Sequence, residues 1–204
     1  MLYDILKQRI ADERKLQIVT AALELMLQKG ILNVSMNEVI DHSGLSKGGV
    51  YYHFRNKDEI ICSIIQAFCD FKISITEHYL SADDLPVKVM MNSLLSVGPE
   101  PSEDTSKWTR LGFDFISLAA DNPHLKQILS DFYKNLLNIL YLMLINGQKR
   151  GEIKKSIDPM QVAKGILAIF DGQGVASIFN HNDGINPIEV SKLTVMQLLD
   201  GISD

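Results

Sequence analysis

Between positions 35 and 57 the chain gathers short polar, basic and aromatic side chains at helical spacing: Ser35 and Asn37, then Ser46-Lys47-Gly48-Gly49, then Tyr51, Tyr52, His53 and Lys57. These groups donate hydrogen bonds or carry positive charge. Hydroxyl, phenol, imidazole and ammonium donors serve anionic oxygens, and free amides with the helix dipole add to them at a helix N-terminus. A glycine in a helix costs about 1 kcal/mol against alanine, so the Gly48-Gly49 pair is poor structure on its own. Close approach to a partner's backbone explains it. The arrangement fits a clamp on a nucleic-acid duplex, with Ser46, Lys47, Gly48 and Gly49 facing bases and phosphates and Ser35, Asn37, Tyr51, His53 and Lys57 beside them.

Such groups act only if helices hold them. Ser35-Met36-Asn37-Glu38 has the S-x-x-E form of a capping box and opens a short helix through Val39 and Ile40 that stops at Ser43-Gly44. Ser46 caps the next helix, through Val50, Tyr51 and Tyr52, before Arg55-Asn56-Lys57-Asp58 interrupts the apolar pattern. Two short helices joined at Gly44 make a helix-turn-helix, whose second member enters the major groove with its N-terminal residues. Before them, Ile10, Leu16, Ile18, Val19, Ala22, Leu23, Leu25 and Met26 form one apolar stripe ending at Lys29-Gly30. After them, Ile60, Ile61, Ile64, Ile65 and Phe68 start a long helix.

At this point the chain resembles the N-terminal domain of the TetR family of bacterial transcriptional regulators. The resemblance lies in Ile18 to Gly30, Ser35-Met36-Asn37-Glu38-Val39, and Gly44-Leu45-Ser46-Lys47-Gly48-Gly49-Val50-Tyr51-Tyr52-His53-Phe54-Arg55-Asn56-Lys57-Asp58, and covers about residues 10–62. It implies that Lys47, Gly48 and Gly49 read the groove, that Tyr51 and His53 contact the DNA backbone, and that Lys57 contacts a phosphate. It also assigns Ser35 and Met36 to a contact at the start of the first helix of the pair. Ile40 and Ser43 stand where the family commonly has alanine, which predicts altered packing between the two short helices. Gly49 lacks the small side chain of many relatives, which puts the weight of direct readout on Lys47.

Composition agrees with a local basic patch and excludes a wholesale polyanion binder. The 204 residues carry 20 basic and 25 acidic side chains, net −5, but residues 1–60 hold 8 of each. The acidity therefore belongs to the remainder. With 46% hydrophobic residues the chain can bury one or two cores, and its 2 cysteines make no disulfide scaffold. Charges at Asp4, Lys7 and Arg9 interrupt any secretory leader, and the most apolar stretch, Leu136 to Ile145, is short of the roughly 18 residues a membrane span needs. A cytoplasmic protein with no membrane partner is expected.

Downstream, apolar periodicity and Pro/Gly punctuation predict helices near 85–97, 105–120, 123–150, 159–180 and 187–200, with proline at the first helical position after Asn122, Asp158 and Asn186. The expected fold is all-α, about nine helices, with a helix-turn-helix domain at 1–56 and a helical ligand-binding and dimerisation domain at 57–204. That second assignment is what the resemblance implies. The small residues Gly165, Ala168, Gly172 and Ala176, beside Val190, Leu193, Val195 and Leu198, fit the close helix packing of a homodimer, whose two-fold axis a palindromic operator requires. Met90, Met91, Leu94, Trp108, Leu111, Phe115, Phe132, Tyr133 and Leu136, with Asp114, Asn138 or His124 as polar fixtures, are candidates for an apolar or aromatic effector pocket, although each is more often core.

Enzyme motifs are missing. The sequence has no H-E-x-x-H, no G-x-S-x-G and no metal-spaced Cys/His cluster, and its five histidines are scattered, so no catalytic residue, metal or cofactor is expected. Cys62 and Cys69 read as buried, inert thiols rather than oxidant sensors. The reading is a ligand-responsive repressor of transcription that binds double-stranded DNA. Its competitors are a helical protein-binding adaptor that retains a helix-turn-helix and, behind that, an all-α enzyme.

Overall fold

A computed structural model of the chain describes residues 2–80, 85–95, 103–179 and 187–203. Among these residues ten α-helices account for nearly all regular structure, and no strand occurs beyond one isolated bridge between Ile153 and Ser203. The helices are α1 (Leu2–Arg9), α2 (Glu13–Lys29), α3 (Met36–Ser43), α4 (Lys47–His53), α5 (Lys57–Leu80), α6 (Val87–Leu95), α7 (Glu103–Ala119), α8 (Pro123–Arg150), α9 (Pro159–Phe179) and α10 (Pro187–Ile202), with a 3₁₀ turn at Ile31–Asn33.

The helix absent from the sequence reading is α1. Asp12 ends any continuity with α2, because its side chain accepts from the amides of Arg14 (2.9 Å) and Lys15 (3.0 Å) and so caps a new helix. Ile10 therefore lies outside both helices. An eight-residue helix is marginal by itself. Here α1 buries Ile5 and Leu6, and fully burying one such side chain is worth about 1.5–3 kcal/mol.

The other boundaries follow the local signals. Pro123, Pro159 and Pro187 are each the first residue of a helix. Asn122 Oδ1 accepts from the Leu125 amide and Asp158 Oδ1 from the Met160 amide. Gly30, Gly44 and Gly151 take positive φ where helices stop. The residues expected to end the helix near 97 lie outside the described ones.

Two compact units result: Met1–Lys72 with Arg110–Phe132, and Ile73–Thr109 with Tyr133–Asp204. They partition the chain differently from 1–56 and 57–204. Residues 57–72 and 110–132 cluster with the N-terminal helices, and Ile60, Ile61, Ile64, Leu111 and Leu125 are buried there beside Ile18, Leu23, Met26 and Val50. The second unit centres on Met90, Met91, Met143, Leu144, Ile166, Val195 and Leu199. Gly147 of α8 gives that core room, since a Cβ there would stand 2.5 Å from Val87 Cγ2 and 2.9 Å from Ile153 Cγ1 and one of them would have to shift. Among the described helices α8 is long and apolar enough to cross a membrane by length and composition, which the stretch Leu136 to Ile145 alone did not reveal. Its Leu125, Ile128, Ile139, Leu140, Met143 and Leu144 are buried, and 28% of its most apolar window is buried in all.

Candidate nucleic-acid interface

The helix-turn-helix is built from local bonds outward. At the entrance to α3 the capping box forms: the Glu38 amide donates to Ser35 Oγ (3.3 Å), while the Ser35 amide and hydroxyl donate to Glu38 Oε2 (2.8 Å each). Lys29 Nζ adds a 2.7 Å ion pair to Glu38 Oε1. The lysine bond first, and the Ser35 bonds after it, hold the Glu38 carboxyl down at about 2. Ser35 is thus exposed yet committed to the cap, Met36 is half-buried, and Asn37 is exposed.

The turn at Gly44 is fastened by a residue the sequence reading missed. Gln17 of α2 donates from Nε2 to the Ser43 carbonyl at 2.6 Å. Ser43 itself is buried, its hydroxyl donating to the Ile40 carbonyl (2.9 Å) and accepting from the Leu45 amide (3.4 Å). The polar departure from alanine is therefore hydrogen-bonded rather than orphaned, and Ile40 is buried beside it.

In α4, Ser46 Oγ accepts from the Gly49 amide at 3.1 Å. The two glycines separate on this point. A Cβ on Gly49 would lie 3.3 Å from the capping Ser46 Oγ, a tight contact, whereas a Cβ on Gly48 would meet nothing within 4 Å. Lys47 is exposed, with Nζ 6.0 Å from the centre of the Tyr51 ring. Tyr52 is 85% exposed and Tyr51 40%, while Val50 and Phe54 anchor the opposite face in the core. The side chain of His53 is only 13% exposed, stands 3.8 Å from Asp12 Oδ2, and meets the Tyr52 ring edge-on at 5.0 Å. It packs the end of α4 against the start of α2.

Lys57, the first residue of α5, is half-buried and donates to the carbonyls of Ile31 (3.0 Å) and Val34 (2.8 Å). Asn56 caps that helix by accepting from the Glu59 amide. Lys47, Gly48, Tyr51 and Tyr52 thus share one exposed helix next to the exposed Ser46, and Asn37 is exposed on the helix before it. His53 and Lys57 are turned to partners within the chain.

The remaining candidates for chemistry are dispersed or silenced. Among the described residues no group of three His, Cys, Asp or Glu could hold a metal. Cys62 and Cys69 are free and buried, and burial, with Asp58 and Asp70 respectively adding repulsion, raises both thiols, Cys69 to about 12. Met90 and Met91 are core residues of the second unit, Leu111 and Phe115 are buried in the first, and the Trp108 side chain lies outside the described ones. Tyr133 is 44% exposed and donates to Asp171 Oδ2 at 2.7 Å, a bond that lifts its phenol to about 12. Two clefts of about 390 and 610 Å³ in the first unit are lined by other residues, His124 excepted.

An all-α chain presenting an exposed, glycine-opened helix at the second position of a helix-turn-helix belongs to the class of major-groove DNA-binding proteins. Comparison with known proteins narrows the class. Residues 18–64 match the profile described as bacterial regulatory proteins, tetR family, and residues 94–200 match BetI-type transcriptional repressor, C-terminal. The fatty acid metabolism regulator protein of Bacillus subtilis (strain 168) is 22% identical over 192 residues, spanning 92% of this chain and 94% of that protein. A TetR transcription regulator from Haloarcula marismortui ATCC 43049 superposes with a TM-score of 0.81 at 15% identity, covering 94% and 99% of the two chains. A transcriptional regulator from Saccharomonospora viridis, solved in complex with choline, gives 0.80 at 18% identity, covering 94% and 98%. The chain belongs to the tetR family of bacterial regulatory proteins: it is a DNA-binding regulator of transcription, not an enzyme.

Proposed function

We propose that this regulator is a cytoplasmic repressor that binds a palindromic operator as a homodimer and is released by a small apolar or aromatic effector. The observation that carries the reading is the surface of α4, where Lys47 and an open Gly48 stand free beside exposed Tyr51 and Tyr52. Lys47, Gly48 and Gly49 face base edges in the major groove, and Tyr51, Tyr52 and the first turn of α3 (Ser35, Met36, Asn37) meet the flanking backbone. Ser46 and His53 flank the same surface. Division of labour follows the chain, with DNA contacts in 1–56 and effector binding and dimerisation in 57–204.

Dimerisation is supported by α9 and α10. Among the described residues, Cβ atoms on Gly165 and Gly172 would meet nothing within 4 Å, so packing among those residues does not account for these glycines. Val175 is 43% exposed and Leu193 60%. Reading successive major grooves of a palindromic operator requires two copies of α4 about 34–36 Å apart, one duplex turn. An effector that favours another spacing lowers operator affinity by the usual coupling of about 1–3 kcal/mol, reciprocally. The choline complex of the Saccharomonospora viridis regulator supports a small-molecule effector as a class. An adaptor that only binds protein leaves the exposed face of α4 without a task.

The test is a duplex selected from a random-sequence pool by the wild-type protein. Lys47→Ala should weaken that duplex by about 1–3 kcal/mol and relax selection at one base pair per half-site. Unchanged affinity and selection in Lys47→Ala would remove α4 from the interface.

A further inference from the structure

A lysine is an unfavourable first residue for a helix, because the free amides there already present the positive end of the dipole. Lys57 opens α5 nonetheless. Its ammonium crosses to a segment 26 and 23 residues earlier and donates to the Ile31 carbonyl at 3.0 Å and the Val34 carbonyl at 2.8 Å. Two of its three protons are thereby used, and the side chain is half-buried rather than extended into solvent. The carbonyls it holds belong to the 3₁₀ turn and to the residue immediately before Ser35, the N-cap of α3.

We propose that Lys57 is a positioning residue: from the start of α5 its ammonium fixes the backbone that leads into α3, and so sets the pose in which α3 and α4 meet DNA. The proposal rests on the reading of α3 and α4 as the DNA-contacting pair. Charge-assisted bonds to two carbonyls are stronger than neutral ones, and the capping box of Ser35 and Glu38 begins one residue beyond the second of them. A displacement at the start of α5 must carry the entrance of α3 with it or break both bonds. The phosphate contact implied by family resemblance makes a different demand on the same ammonium. A phosphate contact contributes to every duplex and to the salt dependence of binding, whereas an internal tie contributes to the fit of one duplex.

Lys57→Met removes the ammonium while keeping an unbranched apolar stem. Binding is measured across a salt series, at temperatures well below the melting transition, for the selected duplex and for a scrambled duplex. The expected result is a loss of about tenfold for the selected duplex, the size of an ordinary coupling between distant groups, with scrambled-duplex affinity and both salt slopes unchanged. A merely structural role would lower the melting temperature and leave the ratio of selected to scrambled affinity at its wild-type value, which overturns the proposal. So does a slope reduced by about 1 per half-site with both duplexes weakened alike. Should Lys57→Met not fold, the wild-type protein decides the matter by nitrogen-15 NMR of its lysine ammonium groups. A slowly exchanging Lys57 signal in the free protein, little shifted by the selected duplex, supports the tie. A signal that emerges only with the duplex overturns it. If the wild type selects no duplex at all, the DNA-contacting reading of α3 and α4 fails, and the free-protein spectrum still tells whether the tie exists.

Discussion

Helices α4 and α9 both carry glycines that face open space, yet they hold them for opposite physical reasons. In α4, seven residues are pinned by the Ser46 cap at one end and by Val50 and Phe54 in the core, which leaves Lys47, Gly48, Tyr51 and Tyr52 outward. The exposed face is polar, aromatic and basic, and suits a charged, hydrated partner. In α9, a largely apolar helix of 21 residues buries Ala163, Ile166 and Leu167, half-buries Gly165 and leaves Ala168 and Gly172 exposed. That exposed face sets the small Ala168 and Gly172 among Gln161, Lys164 and Asp171, and leaves room for the close approach of another helix. The contrast separates a surface built for chemistry from one built for close approach, and variants of both units test it.

The largest effect is expected where packing alone holds the structure. Leu144, fully buried in the second unit, should cost about 2–5 kcal/mol as Leu144→Ala, read by thermal or denaturant unfolding. A change under about 1 kcal/mol would mean that the second unit tolerates cavities an ordinary core does not. Gly147→Ala should follow at about 1–3 kcal/mol, because its new methyl group meets Val87 and Ile153. Gly172→Ala is its control: with open space around that position the helix gains up to about 1 kcal/mol, and any weakening should show in self-association measured by sedimentation.

Ser46→Ala should cost about 1 kcal/mol of stability through the lost cap on the Gly49 amide. Operator binding should fall with it, while self-association stays unchanged. Were self-association to fall as well, the two surfaces would not be separable.

The smallest effect concerns pH. The carboxyl of Glu38 is held at about 2 by Lys29 and Ser35, below its ordinary value of 4.5, so its contribution is complete above about 4.5 and disappears as pH falls toward 2. Glu38→Gln should narrow the gap between stability at neutral pH and at pH 3. Tyr133 works in the opposite direction: its phenol is raised to about 12 by the bond to Asp171, so that bond contributes fully below 10 and is lost as pH rises through 12. Tyr133→Phe should be less stable than wild type at neutral pH and approach it in alkali. Acid and alkaline unfolding curves of the two variants check both signs.

Much of the helical layout was legible because its signals are local. The capping box at Ser35, the cap at Ser46, the stops at Gly30 and Gly44, and the prolines at 123, 159 and 187 all act within three or four residues, the range over which a helix end finds its partners. Helix α1 is faint in the sequence although Leu2, Ile5 and Leu6 stand at helical spacing, because eight residues with interspersed charges are held by burial that a local pattern does not report. Effector candidates were the least legible. Met90, Leu111 and Phe115 are apolar in sequence whether they line a cavity or fill a core, and periodicity does not distinguish the two.

The sequence by itself determined the all-α character, the helix-turn-helix and its exposed basic start, since each depends on residue type and on spacings of three or four. Only the tertiary structure decided that Gly49 sits tight against the capping Ser46 while Gly48 opens a surface, that Gln17 fastens the turn at Ser43, and that Lys57 holds Ile31 and Val34. The last three bonds join residues 23 to 26 positions apart, with backbone carbonyls as acceptors. A carbonyl is the same at every position in a sequence, so nothing in the residue types marks which one a distant side chain will reach until the helices between them have packed.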